Sequence, residues 1–180
     1  MRRPGSGYHS RPVRRIQAVL TLVVLAVAGC TPAFAAGPSA SRTPRCHFNG
    51  PLPDAACTPG AVNPAVTQAT IYQTICVPGF TSRIRPPVGE SNRLKRVAAS
   101  EYGIRDPVSN YEGDHLIPLE VGGAPDDIAN FWDEPHARSG QKDRLENLFH
   151  ARVCSGAMLL VDAQRQMATN WFAAYQAAFG

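Results

Sequence analysis

The sequence predicts a mainly helical α+β domain, built round two short strands and held by disulfide staples. Three observations carry that expectation. Two β-like runs, at 111–118 and 130–132, flank a polar turn containing Gly122, Gly123, Pro125, Asp126 and Asp127. Helical periodicity follows, with Met167, Trp171, Phe172 and Tyr175 forming an apolar stripe along a helix expected over 160–179. Four cysteines, Cys46, Cys57, Cys76 and Cys154, come after an export-type leader, which makes two disulfides the default.

The chain has 180 residues, room for one ordinary domain with a real core once a leader is removed. Arg2, Arg3, Arg11, Arg14 and Arg15 precede an apolar run at 16–28. That run is too short to span a bilayer and has the length of a signal-peptide core, so 1–30 reads as a signal peptide. Val27-Ala28-Gly29-Cys30 resembles a bacterial lipobox, with Cys30 as the lipidated residue. Ala33-Phe34-Ala35 also suits ordinary signal peptidase, and a retained membrane anchor is a third outcome. Each sends the domain out of the cytoplasm, either lipid-anchored to the outer face of the cell membrane or secreted. The formal net charge of +4 comes from this leader, because all five of its charged residues are basic. Beyond Cys30 there are 13 basic and 14 acidic residues, a charge of −1, so net charge alone argues for no polyanionic partner.

Residues 31–45 form a Pro/Ser/Ala/Gly tether expected to be disordered, and 46–180 form the domain. Its first part, 46–68, holds Pro51, Pro53, Pro59 and Pro64 and is expected to be irregular. Cys46 and Cys57 lie close together there, which favours Cys46–Cys57 and, by elimination, Cys76–Cys154. The second bridge would close a long loop and stabilise by about 4 kcal/mol in the chain-entropy model. A zinc site competes for these cysteines, but no CxxC pair is present. A short helix is expected over 69–76, broken by Val77-Pro78-Gly79, with Arg85-Pro86-Pro87 extended. Ser91 is placed to cap a helix over 92–102 that buries Leu94, Val97, Ala98 and Tyr102 and ends at Gly103. Another helix is expected over 139–153.

The stretch YEGDHLIPLEVGG carries the chemistry. Asp114 is a hard oxygen ligand suited to a divalent ion, and a neutral His115 imidazole can take a proton from water. Adjacent strand residues point to opposite faces, so the two share one spot only if the backbone bends. Pro118 and Gly122-Gly123 supply a place to bend. Asn130 follows His115 at the distance where a return strand would pass back, and its amide could fix the loop's shape.

Asp114-His115-x-x-Pro-Leu-x-x-Gly-Gly, then Asn130-Phe131-Trp132, then a helix with Lys142 resembles the HNH or ββα-metal endonucleases. It is most similar to a divergent exported bacterial branch with DHLIPLE-x-GG and a KD-x-x-E helix. The likeness covers about 57–175, with the nuclease-specific part at about 111–146. It implies a ββα-metal core over about 111–153 with flanking helices, cleaving phosphodiester bonds of DNA or RNA with low sequence specificity. His115 is then the general base, Asp114 a ligand of Mg, Mn or Zn, and Asn130 the residue that pins the loop. The chain departs from the pattern at Ser139, where a His or Asn ligand is expected. Asp143 and then Glu146, on the same helix face as Ser139 and His150, are the substitutes, with His136 another.

Charge is uneven around this stretch. Arg83, Arg85, Arg93, Lys95, Arg96 and Arg105 precede it, and Lys142 follows it. Arg83, Arg85, Arg93 and Lys142 are the expected nucleic-acid contacts; solvated helix faces are the plain alternative. No obligate protein partner is expected, and the membrane enters only through Cys30. The rival readings are a catalytically degenerate envelope or surface binding module, and a structural lipoprotein whose acidic loop holds Ca²⁺.

Overall fold

The computed structural model describes residues 45–180. The expected signal peptide, the lipidation at Cys30 and the tether up to residue 44 lie outside the described residues. Arg45, assigned to the tether, is already held: its backbone N–H donates to the Glu101 carbonyl and its guanidinium pairs with the Glu101 carboxylate.

The described chain is α+β, with four α-helices and one two-stranded antiparallel sheet. Both expected disulfides, Cys46–Cys57 and Cys76–Cys154, are present. The Pro-rich front segment is irregular and sits against the loop before the second strand. Gly60 N–H donates to the Ala129 carbonyl, Asn63 N–H to Gly122, and Ala124 N–H to Ala61. Its other anchor is the Tyr102 hydroxyl, 2.9 Å from both Asp54 N and Thr58 Oγ1.

The helix expected over 69–76 shrinks to one 3-10 turn, Ile71–Gln73. Threonine hydroxyls compete with the helical ladder there: Thr70 Oγ1 donates to the Ala65 carbonyl and Thr74 Oγ1 to the Thr70 carbonyl. The expected break at Gly79 turns into a helix start. Gly79 adopts φ +77° and leads into α1, Phe80–Ile84. Helix α2 spans Val88–Glu101 and begins right after Pro87. Ser91 is therefore inside the helix, and its hydroxyl turns back to the Pro86 carbonyl instead of capping. Leu94 and Ala98 are the buried face, Val97 is half-buried, and Gly103 ends the helix with φ +63°.

Strands β1, Tyr111–His115, and β2, Phe131–Pro135, pair with Asp114 opposite Trp132 and His115 opposite Phe131. Both differ from expectation. β1 stops before Leu116, whose following residues turn inward to the core, and β2 starts after Asn130, which belongs to a 3-10 turn, Ile128–Asn130. Helix α3, His136–Cys154, follows β2 without a loop, so it begins before the expected Ser139. Helix α4 spans Leu160–Phe179, as expected, with a kink where Asn170 leaves helical angles and its Oδ1 recaps Ala173 N.

The main core gathers Ile71, Ile75, Leu116, Ile117 and Trp132 with α3 (Leu145, Phe149, Val153) and α4 (Leu160, Met167, Trp171). Phe172 and Tyr175 of the expected stripe are only half-buried. Arg138 lies 4.9 Å above the Phe172 ring, and Arg144 Nη1 donates to the Tyr175 hydroxyl. A smaller cluster, Leu94, Ala98 and Phe131, joins α2 to the sheet.

Candidate functional site

Strand pleating divides the Asp-His pair. Asp114 points to the α3 side of the hairpin and His115 to the other side, where its ring meets Phe131 edge-on at 5.3 Å.

His115 is 5 % exposed. Its Nε2 lies 2.8 Å from the Pro125 carbonyl oxygen. A carbonyl only accepts, so Nε2 carries the proton and Nδ1 keeps the lone pair. Burial lowers the imidazole's pKa below 6.5, and the nearby Arg85 and Lys142 charges push the same way against the Pro125 bond and Asp114. The ring is therefore neutral at pH 7.

The loop that offers this acceptor is held, one residue before Pro125, by Asn130. That side chain is fully buried; its Oδ1 accepts from Ile117 N at 2.8 Å. Its Nδ2 donates to the carbonyls of Ile117 at 2.9 Å and Ala124 at 3.0 Å, next to Pro125. Gly123 must lack a side chain for this to close, because a Cβ there would stand 1.8 Å from the Ile117 oxygen. Sequence, loop and histidine are thus one connected unit.

On the α3 side the central group is Lys142, expected at a phosphate-binding surface and found with no solvent exposure. Burial removes it from any direct contact with substrate. Its Nζ lies 2.6 Å from Asp114 Oδ2, 2.6 Å from Glu146 Oε1 and 2.9 Å from the His115 carbonyl oxygen. Burial opposes its charge, but Asp114, Glu146 and Glu134 outweigh that and raise its pKa. Glu134 is the residue that sequence reasoning passed over. It stands two positions beyond Trp132, the partner of Asp114, and hence on the same face. It is 1 % exposed, its Oε1 has no hydrogen-bond partner, and burial followed by the Asp114 charge raises its pKa. Glu146 is also raised, by burial first, against the lowering effect of Lys142.

The other expected ligands are elsewhere. Asp143 is exposed and touches this group only through its charge on Glu146. Ser139 Oγ donates to the His136 carbonyl at 3.4 Å, and His136 Nδ1 lies 3.4 Å from Glu112. His150 Nε2 bonds the Ile75 carbonyl, a structural contact. The residues expected to hold a divalent ion therefore do not fit one as they stand, because Asp114 and Glu146 are committed to Lys142. Among the described residues no group of three or more His, Cys, Asp or Glu side chains is arranged to hold a metal ion.

Of the expected phosphate contacts on the basic flank, exposed Arg85 is the one whose charge reaches His115. Arg83 lies over the Phe80 ring and Arg93 is paired with Glu90. The opposite face of β2 carries Asp133, 1 % exposed, with neither carboxylate oxygen bonded. Burial pushes its pKa up to about 6, with Lys95 pulling the other way.

No family model matches this chain, and no curated protein or solved structure matches it.

Proposed function

We propose that the protein is an exported nuclease of the HNH-like type, cleaving phosphodiester bonds of DNA or RNA with His115 as its base. The observation that carries this reading is the commitment of His115 Nε2 to Pro125, which leaves a neutral ring with Nδ1 free to accept a proton. In this reading Nδ1 takes a proton from water as the water oxygen bonds to phosphorus and the P–O bond to the departing sugar oxygen breaks, that oxygen taking a proton from solvent. Arg85 balances the phosphate charge beside it. Asn130 is a positioning residue, because it holds the loop that offers the Pro125 carbonyl. The hairpin running directly into α3, with Asp114-His115 at the end of β1, supports the resemblance seen in the sequence. Two disulfides favour an oxidising compartment, consistent with export. No step is assigned to a divalent ion, since the donors expected to hold one are engaged.

The test is cleavage of plasmid DNA and of RNA by the processed protein, compared with His115→Ala. A loss of about 10²-fold to 10⁴-fold is expected in the variant. Equal cleavage by both proteins, or none by either, removes the reading. A second reading, a non-catalytic binding module, is favoured by the engagement of Asp114 with Lys142. It expects nucleic acid or envelope material to be bound, not cut, and bound equally well by His115→Ala.

A further inference from the structure

We propose that the ammonium of Lys142 is the resident cation of this hairpin, filling the place beside Asp114 where a divalent ion is expected and making a bound metal unnecessary there. An ammonium has three N–H donors. Lys142 donates to Glu146 Oε1 at 2.6 Å and to the His115 carbonyl at 2.9 Å, and its charge is paired with Asp114 Oδ2 at 2.6 Å. Two of these acceptors belong to β1 and one to α3, so the cation ties the helix to the strand end that carries His115. A divalent ion works the same way, drawing oxygen ligands of separate elements to one point. The two cannot coexist: an ion close enough to share Asp114 and Glu146 would stand against a buried positive charge.

The neighbouring positions agree. Ser139, one turn earlier on α3, gives its hydroxyl to the His136 carbonyl. Asp143 is exposed. The expected substitutes for the missing ligand are thus unavailable, Glu146 through Lys142, Asp143 through its position and His136 through its contact with Glu112. The protein supplies its own cation, fixed by the fold and independent of metal supply.

This inference goes beyond the nuclease reading and is tested without activity. The processed protein is melted in EDTA and in saturating Mn²⁺, Mg²⁺ or Zn²⁺, beside Asp114→Asn and Lys142→Met. The wild-type melting temperature is expected to agree within about 1 °C in all conditions. A rise of about 5 °C or more on adding an ion, abolished by Asp114→Asn, overturns the proposal. A rise kept in Asp114→Asn comes from an ion bound elsewhere and upholds it. Lys142→Met frees the carboxylates and is expected to acquire an Mn²⁺-dependent rise of about 5 °C or more. If that variant folds and is as indifferent to ions as the wild type, the claim that Lys142 replaces one fails. If it does not fold, the wild-type and Asp114→Asn melts decide. Absence of cleavage would remove the nuclease reading and leave these melts unaffected.

Discussion

The hairpin carries a carboxylate to each of its faces, and the two meet different surroundings. On the α3 side Asp114 meets Lys142, which gathers Glu146 and the His115 carbonyl as well. On the α2 side, where Leu94, Ala98 and Phe131 pack together, Asp133 is more deeply buried than half-buried Asp114 and bonds nothing. Lys95 is near, but its ammonium donates to the Val108 and Tyr111 carbonyls. A buried charge with its partner is a clamp, and one without a partner is a proton site. His115 lies on the second side, its backbone carbonyl fastened by Lys142 on the first. The α3 side is not free of proton sites, since Glu134 and Glu146 beside the clamp are also raised, but only there does a cation gather the carboxylates.

That contrast can be broken at four places. The largest effect is expected for Lys142→Met, which strands two carboxylates and should cost about 4 kcal/mol of unfolding free energy in denaturant titration. A loss below about 1 kcal/mol would show that the clamp is ornamental. Next is Asp133. Its folded pKa of about 6 lies above its ordinary value of 3.8, so its contribution is fully present below pH 4 and is lost as pH rises through 6. That loss amounts to about 3 kcal/mol by pH 8. Stability against pH for Asp133→Asn should lack this fall, making the variant the more stable protein at pH 8 but not at pH 4. Asn130→Ala leaves the Ile117 and Ala124 groups without partners and should cost about 2 kcal/mol, with cleavage falling further than stability explains. The smallest structural effect is expected for Arg85→Ala: within about 0.5 kcal/mol in stability, with cleavage lowered about tenfold if its charge serves the phosphate.

Legibility in the sequence followed how local the cause was. Helix α4 was readable because Met167, Trp171, Phe172 and Tyr175 fall at helical spacing, although Phe172 and Tyr175 end up only half-buried. The disulfides were readable because Cys46 and Cys57 sit close in one loop and only Cys76 and Cys154 are left. Helix α2 started early because proline geometry at Pro87, and not the Ser91 side chain, set its first turn. Lys142 was misread for a different reason. On a helix it looks like any solvated lysine, and its partner at His115 lies 27 residues away. Glu134 was missed on the same account, since only the strand register places it on the face of Asp114. Local pattern showed where the hairpin and helix lie; the pairing of charges required knowing which faces meet.

The proposed chemistry rests on the state of His115, which nitrogen-15 NMR of the histidine rings reads directly. The expected result is a neutral ring at pH 7 with the proton on Nε2, Nδ1 unprotonated, and a titration midpoint below 6.5. A ring doubly protonated at pH 7, or one carrying its single proton on Nδ1, would contradict it.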